Sequence, residues 1–201
     1  MNKLALSIAA VLLSTATLSA KAAEPNYNYV QASYNWSGIS PDVLSDVNLN
    51  AWNLIGSMEF ADHFYGFVGY QDATGDGWNS SMWNLGLGYK MNIAENTDWF
   101  IQGKYIDESL KYKPSGVTVL NDNDSGFGFG TGVRSMVTDH LELQGGINYT
   151  MVNGVYGDGF GVAASGIYHF NDTWGVTLGY AYDWRQDFNI SDINVGVRAS
   201  F

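Results

Sequence analysis

The chain has 201 residues, with 9 Lys or Arg against 20 Asp or Glu, no Cys, and a net charge of −11. That acidity excludes nucleic acid as a partner and a polybasic attachment to a membrane face, and the lack of Cys excludes disulfides, a lipid-bearing Cys and thiolate metal sites. Charged residues are only 14% of the chain, against 15% aromatics and 24 Gly; a water-soluble domain usually carries about a quarter charged residues, so this composition suits a chain whose outer face meets lipid.

The first segment reads as a targeting leader. Met1-Asn2-Lys3 supplies a positive start, Leu4 to Leu13 is an apolar run too short to span a bilayer as a helix, and Ala20-Lys21-Ala22 puts small residues where a signal peptidase reads. The expectation is a cleavable signal peptide over 1–22 and a single domain over 23–201. The leader holds two of the nine basic residues and no acid, so the mature chain is more acidic still.

Beyond the leader no stretch reads as a helix; alternation of period two recurs instead, the mark of a strand with two unlike faces. Val30, Ala32, Tyr34 and Trp36 alternate with Gln31, Ser33 and Asn35. Trp52, Leu54, Met58 and Phe60 alternate with Asn53, Ser57 and Glu59. Phe64 to Gln71 carries aromatics on both faces. Trp83 to Met91 sets Trp83, Leu85, Leu87, Tyr89 and Met91 against Asn84, Gly86, Gly88 and Lys90. The rhythm continues through Trp99–Tyr105, Phe127–Val137, Leu141–Tyr149, Phe160–Phe170 and Trp174–Tyr182. It is clearest at the end, where Ile193, Val195, Val197, Ala199 and Phe201 alternate with Asn194, Gly196, Arg198 and Ser200.

Ten strands result, and the connections between them alternate in length. Phe60-Ala-Asp62-His-Phe64, Val137-Thr-Asp139-His-Leu141 and Phe170-Asn-Asp172-Thr-Trp174 are short turns of one form, joined by Ala94 to Asp98. Longer polar connections are expected at Ser37–Asn48, Asp72–Asn79, Leu110–Asn123, Met151–Asp158 and Gln186–Asn189. Aromatics fall at two levels, near the short turns and toward the long loops, as girdles at two membrane–water boundaries do. The fold class is therefore all-β: a ten-stranded antiparallel up-and-down transmembrane β-barrel. It predicts an outer-membrane location, with long loops extracellular and short turns and both termini periplasmic.

The opening strand Tyr29-Val-Gln-Ala-Ser-Tyr34, the segments Trp83-Asn-Leu-Gly-Leu-Gly-Tyr89 and Phe127-Gly-Phe-Gly-Thr-Gly-Val-Arg134, and the terminal alternation ending in Phe201 resemble the small outer-membrane β-barrel family, porin-like and OmpA/OmpX-like. The likeness covers essentially the whole mature chain. It implies that Val195, Val197 and Phe201 form the signal read by the barrel-assembly machinery. Ten strands rather than eight departs from the smallest members, so their ligand roles are not carried over.

On the inward parity, Glu59, Lys90, Lys104, Glu108, Arg134, Glu142 and Arg198 predict a lumen charge network of mixed sign. It reads either as an interior salt-bridge plug or as a selectivity ring. A barrel of about eight strands is filled by its own side chains, and ten lies near that end; the plug is the favoured reading. If Val137 pairs with Leu141, Arg134 lies diagonal to Glu142. His63, His140 and His169 all fall at or beside the short turns, away from the loops where an outer-face hydrolase would work, so no catalytic residue is assigned. Asp72-Ala-Thr-Gly-Asp-Gly-Trp78 and Asn121-Asp-Asn-Asp-Ser125 are oxygen-rich but lack the full spacing of a calcium loop; they read as solvated turns, with no metal site and no cofactor. The expected role is non-catalytic, structural or in surface interaction, with a narrow pore for small solutes as the alternative and a barrel enzyme behind it. Expected partners are outer-membrane lipids, lipopolysaccharide and, during biogenesis, the barrel-assembly machinery.

Overall fold

The computed structural model describes residues 24–41, 46–154 and 157–201; the expected leader and parts of the expected connections Ser37–Asn48 and Met151–Asp158 lie outside the described residues. Ten strands follow in order: β1 Tyr29–Pro41, β2 Val47–Ala61, β3 Phe64–Gly75, β4 Trp78–Ala94, β5 Thr97–Tyr112, β6 Leu120–Met136, β7 Leu141–Val152, β8 Gly159–His169, β9 Trp174–Arg185 and β10 Phe188–Ser200. Each pairs antiparallel with the next, and β1 pairs with β10 from Tyr29↔Ser200 to Pro41↔Phe188, closing the sheet. The up-and-down barrel expected from the sequence is the fold observed. An even number of strands leaves the start of β1 and the end of β10 at one rim, the terminal rim; the opposite one is the far rim.

The period of two decides which solvent each side chain meets. In β4, Trp83, Leu85, Leu87 and Met91 are exposed outside, while Gly86, Gly88 and Lys90 are buried inside. Leu87 is 64% exposed and has Leu54, Leu178, Phe129 and Val195 for company on other strands. So continuous an apolar surface suits hydrocarbon rather than water.

Several strands run well beyond the roughly 9–11 residues that cross the hydrocarbon: β4 and β6 have 17 residues and β5 has 16. Past an outward row that includes Trp36, Trp52, Tyr70 and Trp83, the polarity of the wall reverses. Asn48, Asn50, Asp72 and Thr74 face out and are exposed. Behind them Leu49, Ala51 and Ala73 are buried, packed by Ile39, Val47 and Trp78. There the wall is built like a water-soluble sheet, apolar inside and polar outside.

This continuation corrects three of the expected long loops, while Met151–Asp158 stays a connection, 153–158. Asp72–Asn79 is a hairpin turning at Asp76 (φ 48) and Gly77 (φ 82). Positive φ at both residues is what a two-residue type I′ turn requires and what Asp-Gly favours. The Asp76 carboxylate accepts the Asn48 N–H at 2.7 Å. Asp122 and Asp124 lie in β6, paired with Leu110 and Glu108. Leu110–Asn123 shrinks to the connection 113–119, with one 3₁₀ turn at Pro114–Gly116, and Gln186–Asn189 shrinks to two residues between β9 and β10.

If the wall meets two solvents, charge on it must cost differently by level. Leu87→Arg, in the middle of the apolar belt, should destabilise the refolded barrel by about 2–4 kcal/mol. Asn50→Arg, above the aromatic row, should stay within about 0.5 kcal/mol of wild type. Urea unfolding in lipid vesicles measures both.

Candidate functional site

The terminal end of the lumen carries the densest charge. Val137 N–H donates to Leu141 O at 2.8 Å, which sets Met136 opposite Glu142 and Arg134 opposite Gln144. Arg134 is thus diagonal to Glu142, and its Nε and Nη2 lie 2.7 and 2.6 Å from Glu142 Oε1. Arg198 Nη1 is 3.6 Å from the same oxygen and His169 Nε2 is 3.4 Å from Oε2. The Arg198 contact is electrostatic at that distance; its hydrogen bond runs from Nε to Gln31 Oε1 at 3.0 Å. Glu142 is 1% exposed and Arg134 2%. Beside them Lys90 pairs with Glu59, and buried Asp98 accepts from Asn92 Nδ2 at 2.9 Å. Three cations face three carboxylates, which is what buried charge requires.

The segment before β1 enters this cluster. Tyr27 is 2% exposed, its ring centroid 4.7 Å from that of Tyr65 at a tilt of 42°, with Lys90 Nζ 4.7 Å and Arg134 Cζ 4.1 Å from its centroid. Arg134 Nη2 donates to Asn26 O at 3.0 Å, and Asn28 Oδ1 accepts the Glu59 N–H at 2.8 Å. Burial pushes the Tyr27 phenol well above the usual tyrosine range, so it stays neutral. Tyr29 receives Arg198 on its ring at 4.0 Å.

Of the seven charges singled out from sequence, Arg134, Glu142 and Arg198 share one site, Lys90 and Glu59 adjoin it, and Lys104 and Glu108 stand apart toward the far rim. Glu108 Oε1 accepts from Ser80 Oγ at 2.8 Å. Lys104 borders two cavities, of about 300 and 330 Å³. Val195 and Val197 face outward on β10, opposite Tyr34 and Ala32 of β1; Phe201, 69% exposed, follows the strand, its N–H bonded to Asn28 O at 3.0 Å. His63 and His140 are exposed in turns. Among the described residues no three His, Cys, Asp or Glu come together as a metal site.

Sequence reasoning missed Tyr27 and Asp98. Asp98 shares the parity of Gln102, and extending that alternation reaches it; His169 stands on the parity of Gly161, the inward face. Tyr27 has the parity of Gln31, but alternation alone does not say that the segment ahead of β1 turns into the lumen.

The family model described as "Outer membrane protein beta-barrel domain" matches residues 8–167. Among curated proteins none matches the chain. Among solved structures, the beta domain of the Bordetella autotransporter BrkA is 13% identical, covering 88% of this chain and 100% of that one at a TM-score of 0.60. A Pseudomonas aeruginosa FadL homologue is 8% identical, covering 86% and 90% at 0.50. Neisserial surface protein A is 14% identical, covering 86% and 96% at 0.49. At these identities the likeness is one of fold.

Removing one partner of a buried pair strands the other charge. Arg134→Ala should therefore cost about 3–5 kcal/mol. Glu59→Gln, which leaves buried Lys90 beside a neutral amide at a half-exposed position, should cost less, about 1–3 kcal/mol. Denaturant midpoints of refolded variants make the comparison.

Proposed function

The chain belongs to the outer membrane protein beta-barrel domain family, and from that premise we propose that it is a non-catalytic, lumen-blocked barrel that interacts through its far rim. The observation that carries this reading is Tyr27, seated at 2% exposure in the terminal mouth of the lumen between Lys90 and Arg134. The terminal rim faces the periplasm. Its tips are short, two residues between β2 and β3 and between β4 and β5, whereas the far rim has the connection 113–119; that asymmetry is usual for outer-membrane barrels.

A catalytic role finds no support at the charged cluster. Both Glu142 oxygens are engaged by Arg134, Arg198 and His169, which leaves that carboxylate no free oxygen to act as a base. Outer-membrane lipids and lipopolysaccharide surround the apolar belt in this reading. The barrel-assembly machinery reads the outward stripe of Val195, Val197 and Phe201.

One observation favours a second reading, a narrow pore: the lumen is not filled, and its cavities of about 330 and 300 Å³ lie in succession along it. Conductance in planar bilayers separates the two. The blocked reading expects wild-type protein to conduct poorly and the Tyr27→Ala variant, or one lacking residues 24–28, to conduct clearly more. Large, steady wild-type channels would sink it in favour of the pore. Orientation is tested separately, by a protease site inserted at Gly116, which should be cut on intact cells.

A further inference from the structure

Midway along the lumen, polar side chains stand that the protein does not satisfy. Asn53, Gln71, Asn84 and Gln144 line the cavity of about 300 Å³. Among the described residues their side-chain amides have no hydrogen-bond partner, and they open onto the cavity instead of being sealed. The inward amides nearby are engaged: Asn148 donates to Asp183 at 3.2 Å, and Gln102 accepts from the Tyr65 hydroxyl at 3.0 Å.

Lys104 borders this cavity and the one above it. Its ammonium has no carboxylate within ion-pair distance among the described residues, in contrast to Lys90, Arg134 and Arg198 at the terminal rim. The rings of Tyr65 and Phe67 share the wall. They reach that far inward because Gly88 and Gly86 stand opposite them on β4; a Cβ at either glycine would fall on the ring.

These groups define a ligand chemistry. Each carboxamide offers two N–H donors and an acceptor oxygen, a set matched by hydroxyl groups, which donate and accept. The cation, half-buried and with Asp183 acting on it only from beyond ion-pair distance, asks for one anionic group, since a charge held away from bulk water needs a partner. Ring faces suit the C–H face of a carbon skeleton. The volume, at the low end of the roughly 300–1,000 Å³ typical of ligand pockets, admits a small molecule. We propose that the lumen binds a small polyhydroxylated carboxylate of the sugar-acid type, its carboxylate on Lys104 and its hydroxyls on the four amides. The site holds whichever rim faces outward and whether or not the lumen conducts.

The test is isothermal titration of the full refolded barrel in detergent micelles, with folding checked by heat-dependent gel mobility. Gluconate, sorbitol and acetate are the probes: the whole ligand class, the hydroxyls without the charge, and the charge without the hydroxyls. Gluconate should bind saturably, at least about tenfold more tightly than either of the others, because sorbitol lacks the hydrogen bond to the charged group and acetate lacks the several neutral ones to the amides. Lys104→Met, or Lys104→Gln if the first folds poorly, should lower gluconate affinity to that of sorbitol. The proposal is overturned by the absence of saturable gluconate binding, which would mean that water alone fills the lumen. Equal binding of gluconate and acetate, which would make the amides bystanders, overturns it too, as does gluconate binding that survives loss of the Lys104 charge in a folded variant.

Discussion

In hydrocarbon no water competes for backbone N–H and C=O groups, so a sheet that crosses it cannot end in an open edge. The pairing of β1 with β10, thirteen residue pairs from Tyr29↔Ser200 to Pro41↔Phe188, is the constraint on which the other features depend. It obliges an up-and-down sheet to have an even number of strands and brings the start of β1 and the end of β10 to one rim. There Phe201 N–H bonds Asn28 O. The residues just before β1 are thereby held over the lumen mouth, and the parity that turns Gln31 inward turns Tyr29 and Tyr27 inward as well.

Closure also creates an interior that neither lipid nor bulk water controls. The terminal cluster fills its share with charge, which pays a desolvation cost that ion pairs offset only when their geometry is good. Here the geometry specifies the fold. Arg134 and Glu142 meet only if β6 and β7 keep their register, and a slip of one strand by one residue would turn one of the two toward lipid and its apolar neighbours inward. The tilted packing of Tyr27 against Tyr65, with two cations over the Tyr27 ring, adds apolar contact beside the charges.

The strand number, the strand order and the outward face were legible because lipid enforces one pattern along every strand. The far rim was not. Once past the aromatic row, Asn48, Asp72 and Asn123 are polar because they face water, and polarity in a linear reading looks like loop. The Asp76-Gly77 pair did mark a tight hairpin, but the surrounding oxygen-rich residues drew attention away from it. The diagonal relation of Arg134 to Glu142 followed from counting across one turn. The place of Tyr27 could not, because nothing in local alternation says that a segment ahead of the first strand folds into the lumen and not away from it.

The reversal of wall polarity divides the molecule by the cost of change. Within the belt a residue answers to lipid outside and to a crowded lumen inside, so either face resists substitution. At the terminal rim one buried carboxylate, Glu142, is shared among Arg134, Arg198 and His169, and losing any of them disturbs the rest. Beyond the aromatic row the outer face meets only water, and the hairpins rest on a small core around Leu49, Ala51 and Ala73. Their backbone bonds are already made by the strand ladder, so tip residues such as those of 113–119 can vary without opening the sheet. A barrel built this way can change what its far rim touches while the closure, the charge cluster and the belt stay fixed, which is the physical basis for assigning interaction to that rim and stability to the other.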